Sequence, residues 1–339
     1  MRYHGAAAEG ITVTNPEQLF LGVDVGGTKV AAGLVTARGE ILSKARVPMV
    51  SRESAEAGLQ AIKDAIGEVF EKEPSRRAGV AGIGISSPGP LDPRKGIIIN
   101  PPNLPCWRNY PLAERVQAAL KLPTRVDNDA KAAGLAEAHW GAGQGYSYVF
   151  YATLGTGIGT GEIFGGQIYH GRTGAAGEGG HMTIDYHGPR CGCGKHGCIE
   201  ALASGPAVAR RAQAKIAENP QAGAKILSLA PGGRAAVHAE HVAQAWRAGD
   251  PLAQEILRET AFLLAVWLGN IVDLLEPDVI IFGGGMGELM SEWFEQIRDQ
   301  MAAWTINSRY REIPMMRARY GEDSGIAGAA ALWLSAGKS

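Results

Sequence analysis

Short apolar runs broken by glycine open the chain. Residues 20–25 form one such run, which passes directly into Asp24-Val25-Gly26-Gly27-Thr28-Lys29. A second run follows at 30–35, and the turn Ala37-Arg38-Gly39-Glu40 leads to a third around 41–47. Strand, glycine turn, strand, turn, strand predicts an antiparallel meander. The period then changes. Leu59, Ile62, Ile66, Val69 and Phe70 recur at threes and fours, which predicts a helix over 54–71. Residues 80–85 read as a buried strand ending in the loop 86–90. A short strand at 124–126 precedes a helix that starts near Ala130.

The opening pattern returns in the second half. An apolar strand at 148–151 enters Leu154-Gly155-Thr156-Gly157-Ile158-Gly159-Thr160-Gly161; another strand and the turn Gly165-Gly166 follow. A strand–glycine turn–strand unit near the start of each half predicts two related halves facing one another across a cleft. Farther on, 252–275 is apolar around much of its circumference and stops before Pro277, as a buried helix does. Residues 279–282 form a strand ending in Gly283, Gly284 and Gly285, and 326–334 is an Ala-rich apolar helix.

Composition narrows the class. Of 339 residues, 45% are hydrophobic and 20% charged, the profile of a globular protein of one large or two ordinary domains. The formal net charge of −1 supplies no global field for nucleic acid or an anionic membrane, so neither is an expected partner. An anionic ligand then has to be held locally, by backbone amides, a metal ion or a single Lys. No apolar run reaches the ~18 residues of a membrane span. The leader 1–16 has no apolar core followed by a small-residue cleavage site, so it reads as a tail ahead of the fold rather than a signal peptide. Four cysteines, three of them within eight residues, are not a secreted disulfide framework, and the expected compartment is the cytoplasm.

Backbone that approaches a phosphate closely has no room for Cβ atoms, which is why glycine dominates such turns. Beside the first turn stand Asp24, placed to hold Mg²⁺ through water, Thr28, a hydroxyl donor, and Lys29, a counter-charge. The Gly155-x-Gly157-x-Gly159 run also suggests a dinucleotide fold. That fold needs a helix directly after the glycines and an acidic residue ~20 positions on, and strands follow both turns here. No Gly-x-x-x-x-Gly-Lys-Ser/Thr run occurs either.

His181, Cys191, Cys193 and Cys198 stand at spacings of ten, two and five, interleaved by Gly192, Gly194 and Gly197. Structural zinc takes four N/S ligands in a tetrahedron, and Cys₃His is a standard set. A disulfide between Cys191 and Cys193 would be strained, and any other pairing leaves a thiol over. His187 and His196 are nearby but less suitable ligands than His181. A closed four-ligand site has no open position for water, so this Zn²⁺ would be structural.

Asp127-Asn128-Asp129 lies where a strand meets a helix. An N-cap explains one of the three; a carboxylate placed to accept a hydroxyl proton, as phosphoryl transfer to an alcohol requires, explains another.

These motifs together resemble the ROK family of sugar kinases and repressors. The resemblance is carried by Asp24-Val25-Gly26-Gly27-Thr28-Lys29, Asn128-Asp129-Ala130, Leu154-Gly155-Thr156-Gly157, Glu178-Gly179-Gly180-His181 and Cys191-Gly192-Cys193-Gly194-x-x-Gly197-Cys198-x-Glu200, over roughly residues 20–335. It implies an α/β, two-domain, actin-like or hexokinase-type (ribonuclease H-like) fold with an interdomain cleft, closing over sugar and ATP, usually in a homodimer. Residues 17–130 with 326–339 would make a smaller domain, and 131–325 a larger one carrying the zinc loop.

Carried over by position, the resemblance makes Asp129 the catalytic base for the sugar 6-hydroxyl. Asn103, Asn128, Asp129, Glu178, His181 and Glu200 become the sugar contacts, with His181 shared between zinc and sugar. Asp24, Gly26, Gly27, Thr28 and Lys29 match the first phosphate motif, and Thr153, Gly155, Thr156 and Gly157 the second. Gly283, Gly284 and Gly285 match the turn that receives the adenosine part. The Asn103 segment with Trp107, and the Glu178/His181/Glu200 set, resemble the family's glucose-phosphorylating members. N-acetylglucosamine, N-acetylmannosamine, mannose and fructose are the alternative substrates, and a non-catalytic sugar sensor is the alternative function. Only about 19 residues precede residue 20, without the basic helix of a repressor's DNA-binding domain. Two departures stand out. Lys131 replaces a frequent Asn, which predicts altered surface charge near the cleft; Gly180 replaces a larger apolar residue, which predicts a looser sugar loop.

Overall fold

The computed structural model describes residues 17–50 and 52–334; the expected tail 1–16 and residues 335–339 of the expected smaller domain lie outside them. The meander forms as the apolar runs predict, with β1 (Leu19–Val25), β2 (Lys29–Thr36) and β3 (Ile41–Pro48) pairing antiparallel. After α1 (Ala55–Lys72), whose first turn is capped by the Ser54 side chain accepting from Ala57 N–H, comes β4 (Val80–Ser87). A small hairpin of β5 (Leu91–Asp92) and β6 (Ile97–Ile98) leads to α2 (Leu112–Leu120), β7 (Thr124–Asn128) and α3 (Asp129–Trp140). β4 and β7 add parallel to β1, giving the order β3-β2-β1-β4-β7.

A second sheet begins with β8 (Tyr148–Leu154), β9 (Ile158–Phe164) and β10 (Gln167–Ile168). The chain continues through α4 (Ile199–Ala203), α5 (Gly205–Glu218), α6 (Ala224–Leu229), α7 (Ala239–Arg247) and α8 (Pro251–Leu275). Then come β11 (Val279–Gly283), α9 (Gly284–Ser291), α10 (Phe294–Met301), β12 (Met315–Arg317) and α11 (Ser324–Ala331). Its order is β10-β9-β8-β11-β12. In both sheets the strands therefore run third, second, first, fourth, fifth, which is the internal likeness the repeated glycine turns predict. Among the described residues no helix is long and apolar enough to cross a membrane.

Contacts divide the chain into two units. One takes residues up to 151, 161–177 and those from 318; the other takes 152–160 and 178–317. This differs from a boundary at residue 130, and the reason is α3. That helix packs on α11, where Gly328 lets its backbone meet the backbone of Ala132 and Ala133. Within α3 the buried Glu137 accepts hydrogen bonds from the amides of Arg319 (2.8 Å) and Tyr320 (3.1 Å), just ahead of α11. Side chains of β1 such as Leu21, Val23 and Val25 join the core formed with Ile62, Ile66 and Val69 of α1.

The other face of the first sheet holds α11 through a row of glycines. Gly33, Gly22 and Gly84 are register partners across β2, β1 and β4. A Cβ on Gly22 would overlap the Ile326 carbonyl oxygen, and one on Gly84 the Ala329 carbonyl oxygen. Helix backbone thus lies directly on strand backbone. In the second unit α8 is the central helix, capped by Asp250 and with Pro251 at its start; it ends at Leu275, ahead of Pro277 as the sequence predicts. Overpacking a filled interior costs typically ~1–3 kcal/mol, and more where only backbone can move. Gly84→Ala is therefore expected to destabilise the protein by at least about 3 kcal/mol in chemical denaturation, or to prevent its folding.

Candidate functional site

In the first unit the predicted residues gather at the carboxyl ends of the parallel strands, where open α/β sheets hold their ligands. The glycine turn is closed by Gly26 N–H donating to the Lys29 carbonyl at 2.9 Å, and Thr28 and Lys29 are exposed. Gly27 has no Cβ because one would stand 2.8 Å from the Asn103 carbonyl oxygen, so the turn and the Asn103 segment are packed together. Trp107 fixes that segment from below: it is fully buried, stacks on Tyr110 and donates from its indole to the Ala55 carbonyl at 3.2 Å.

Asp24 ends β1 and accepts from the Ser86 hydroxyl at 3.0 Å, with Gly325 at the start of α11 leaving room for its carboxylate. Burial raises its pKa above the ordinary carboxylate value, and the negative charge of Asp129 adds to the effect; the Ser86 hydrogen bond, Lys29 and Arg46 oppose it. Asp129 is the first residue of α3 and remains partly exposed. Desolvation raises its pKa too, against hydrogen bonds from Ala130 N–H, its own amide and the Asn128 side chain, all of which favour the ionised form. A carboxylate that is reachable, oriented and raised in pKa by burial suits proton acceptance.

The three polar residues in a row have three separate jobs. Asn128 is the N-cap, accepting from Ala130 N–H (3.1 Å) and Lys131 N–H (3.2 Å). Asp127 is buried and meets His170 Nε2 at 2.6 Å. Asp129, partly exposed, accepts from Ala130 N–H at 2.8 Å. Lys131 does not alter surface charge as its departure from the family pattern predicts. It is 3% exposed, and its ammonium donates to the Gly174 carbonyl at 2.8 Å, bracing the loop that leads to Glu178.

In the second unit the turn after β8 is closed by Gly155 N–H donating to the Gly157 carbonyl at 2.9 Å. Gly284, at φ +76°, follows the strand end Gly283 and packs on Thr153, whose hydroxyl would stand 2.9 Å from an added Cβ. Gly155, Thr156 and Gly285 line one cavity of about 1040 Å³ with Gly205, Arg210 and Met286. The last three escape motif reading. They come from the starts and faces of α5 and α9, and only Ser204-Gly205-Pro206, a small-residue helix start, could have pointed there.

Glu178 is exposed. His181 closes a short 3₁₀ turn, Gly179–His181, that is tied to the core by the Trp267 indole donating to the Gly179 carbonyl at 3.1 Å, and to β9 by Gly179 N–H donating to the Thr160 hydroxyl at 3.0 Å. Gly180 does not loosen this loop. It is buried, and a Cβ there would overlap the Ile158 carbonyl oxygen; the residue is small because the loop lies against β9 backbone.

The ligating atoms of His181, Cys191, Cys193 and Cys198 all lie within 4.8 Å of one another. Cys193 Sγ is 3.7 Å from Cys198 Sγ, and Cys191 Sγ is 3.6 Å from His181 Nδ1. A zinc tetrahedron with bonds of ~2.3 Å to sulfur and ~2.05 Å to nitrogen has edges of about 3.8 and 3.6 Å, so the donor set fits. Burial, with the neighbouring thiols, pushes Cys198 up to about 12. Nδ1 of His181 faces the sulfurs, leaving the other ring nitrogen directed elsewhere. Cys106 is half-buried and outside the cluster.

Residues 20–336 match the ROK family. The glucokinase of Streptomyces coelicolor is 35% identical over 317 residues, covering 93% of this chain and 97% of that protein. The N-acetylmannosamine kinase of Escherichia coli O7:K1 is 32% identical, covering 93% and 98%. A solved ROK family glucokinase from Streptomyces griseus, in complex with glucose and AMPPNP, superposes with a TM-score of 0.79 at 36% identity, covering 93% of this chain and 98% of that one. These likenesses carry the two-domain, actin-like sugar-kinase fold over to this chain.

The packing of Gly180 generates a test. Gly180→Ala is expected to lower the melting temperature by several degrees, on the scale of an overpacked interior, and to reduce hexose affinity because His181 is displaced. Calorimetry on the variant with and without hexose checks both.

Proposed function

The chain belongs to the ROK family, and from that premise we propose that it transfers the γ-phosphate of ATP to the 6-hydroxyl of a hexose, glucose first among them. The observation that carries this reading is Asp129: a partly exposed carboxylate at the end of β7, oriented by the α3 cap and raised in pKa, on the same sheet edge as the first phosphate turn. Asp129 would accept the hydroxyl proton late, since phosphoryl transfer is mostly positioning and charge stabilisation. Asn103, Asn128, Glu178, His181 and Glu200 would hold the other sugar hydroxyls. Gly26, Gly27, Thr28 and Lys29, with Thr153, Gly155, Thr156 and Gly157, would hold the phosphates. Gly283, Gly284 and Gly285 with the cavity beside them would receive the adenosine.

Asp24 would hold Mg²⁺, and its carboxyl, pushed toward the neutral form by burial, would regain its charge beside a cation. Zinc at His181, Cys191, Cys193 and Cys198 would do no chemistry: it would lock the imidazole tautomer and ring orientation so that the free nitrogen meets the sugar. In this reading the protein works in the cytoplasm as a homodimer. The 32% identical N-acetylmannosamine kinase favours a second reading, the same transfer to that amino sugar.

A coupled ADP-release assay over glucose, mannose, fructose and the two N-acetylhexosamines tests the function. Turnover with glucose above the others is expected; no ATP turnover with any sugar would mean a sensor instead. Asp129→Asn is expected to bind hexose yet lose about 10²–10⁴-fold in kcat. A carboxyl whose folded pKa is raised contributes stability below its unfolded pKa and loses it as pH rises through the folded value, so at neutral pH its ionised form is a burden. The same variant should accordingly melt no lower than wild type at pH 7, which separates lost chemistry from lost fold. Elemental analysis should find one zinc per chain, lost in Cys193→Ser.

A further inference from the structure

The loop of cysteines is followed, without a break, by the residues that grip the second phosphate turn. Cys198 is the N-cap of α4, its thiol donating to the His181 carbonyl (3.4 Å), and the next residue, Ile199, donates its N–H to Met182 at 3.0 Å. One residue on, Glu200 divides its two oxygens. Oε1 lies 3.8 Å from Cys191 Sγ and 3.9 Å from His181 Nδ1. Oε2 accepts from Ile158 N–H at 3.0 Å, and a Cβ on Gly157 would stand 2.6 Å from it. At the far end of α4, Gly205 N–H donates to the Gly155 carbonyl at 2.8 Å.

The turn 155–158 is therefore held at both ends from the segment that starts at a metal ligand. Ile158 is gripped on two sides: its N–H by Glu200, and its carbonyl by the close approach of Gly180, next to His181. A carboxylate that accepts from a backbone amide is stronger than a neutral acceptor, and a turn that offers its own amides to phosphate needs such an outside anchor to keep its shape.

We propose that Glu200 is a positioning residue for the nucleotide phosphates, transmitting the order of the cysteine loop to the turn Gly155–Gly157, in addition to the sugar contact that its motif implies. The inference rests on the kinase reading above and extends one expectation drawn from the motifs, that His181 is shared between metal and sugar, to the nucleotide side of the same loop. With Ile158 released, the turn loses its anchor, and a nucleotide must order it on binding. With the metal removed, α4 loses its fixed starting point, and the same loss follows by a different route.

The test is titration calorimetry with AMPPNP and, separately, with glucose, on wild type, Glu200→Ala and Glu200→Gln, each before and after metal removal by a chelator. Glu200→Ala is expected to weaken AMPPNP binding about 10- to 100-fold, the worth of a charge-assisted hydrogen bond. Glu200→Gln keeps an acceptor oxygen and should recover part of it. Metal removal should weaken AMPPNP binding to wild type and add less in Glu200→Ala, since both act through one link. Unchanged AMPPNP affinity in Glu200→Ala with glucose affinity lost would overturn the proposal. If Glu200→Ala does not fold, Glu200→Gln and chelated wild type decide: AMPPNP affinity untouched in both overturns it. Wild type that binds neither AMPPNP nor glucose would fail the kinase reading itself, an outcome separate from the other two.

Discussion

The first unit depends on the distance at which a helix can approach a sheet. Side chains ordinarily keep the two about 10 Å apart, but Gly22, Gly33 and Gly84 remove the spacer along one line across β1, β2 and β4. Once α11 sits there, α3 finds its own place against α11 through Gly328, and Glu137 of α3 ties back to the amides ahead of α11. The first residue of α3 is Asp129. The carboxylate at that position is thus located by contacts between backbones, which have no rotamers to adjust.

The second unit solves a related problem with different parts. Its glycine turn is held by α4 and α5 rather than by a glycine row, and the neighbouring histidine loop is set by Trp267 and Thr160. Glycine again appears where backbone meets something unyielding: Gly157 at a carboxylate, Gly180 at a carbonyl, Gly284 at Thr153. None of these is a flexible hinge. Each marks a contact too close for a methyl group.

Much of this was legible in the sequence, and the reason is that the readable features are local. The meander, α1 and α8 with its stop before Pro277 follow from periodicity and chain breakers. The gathering of His181, Cys191, Cys193 and Cys198 follows from ligand chemistry, which reads four donors within eighteen residues as converging on one point. What stayed hidden is set by partners distant in sequence. Lys131 reads as a surface charge until Gly174 is seen to accept from it, and Gly180 as slack until Ile158 is placed behind it. The cavity beside Gly155 and Gly285 draws on faces of α5, α7 and α9 that carry no motif. Asp127 and Asn128 could not be told apart from Asp129 by spacing; only the cap geometry and His170 assign them.

The shared strand order bears on ancestry. Two sheets built third, second, first, fourth, fifth, each with a glycine turn between its first two strands, are what duplication of one ancestral half would leave. The copies then grew differently. Between its third and fourth strands the first sheet holds residues 49–79, little more than α1, while the second holds 169–278, with the cysteine loop and α4 to α8. Asp129 starts a helix of the first copy and the cysteine loop belongs to the insertion in the second. The two glycine turns thus occupy equivalent places in the two sheets, whereas Asp129 and the cysteine loop each occur in only one of them.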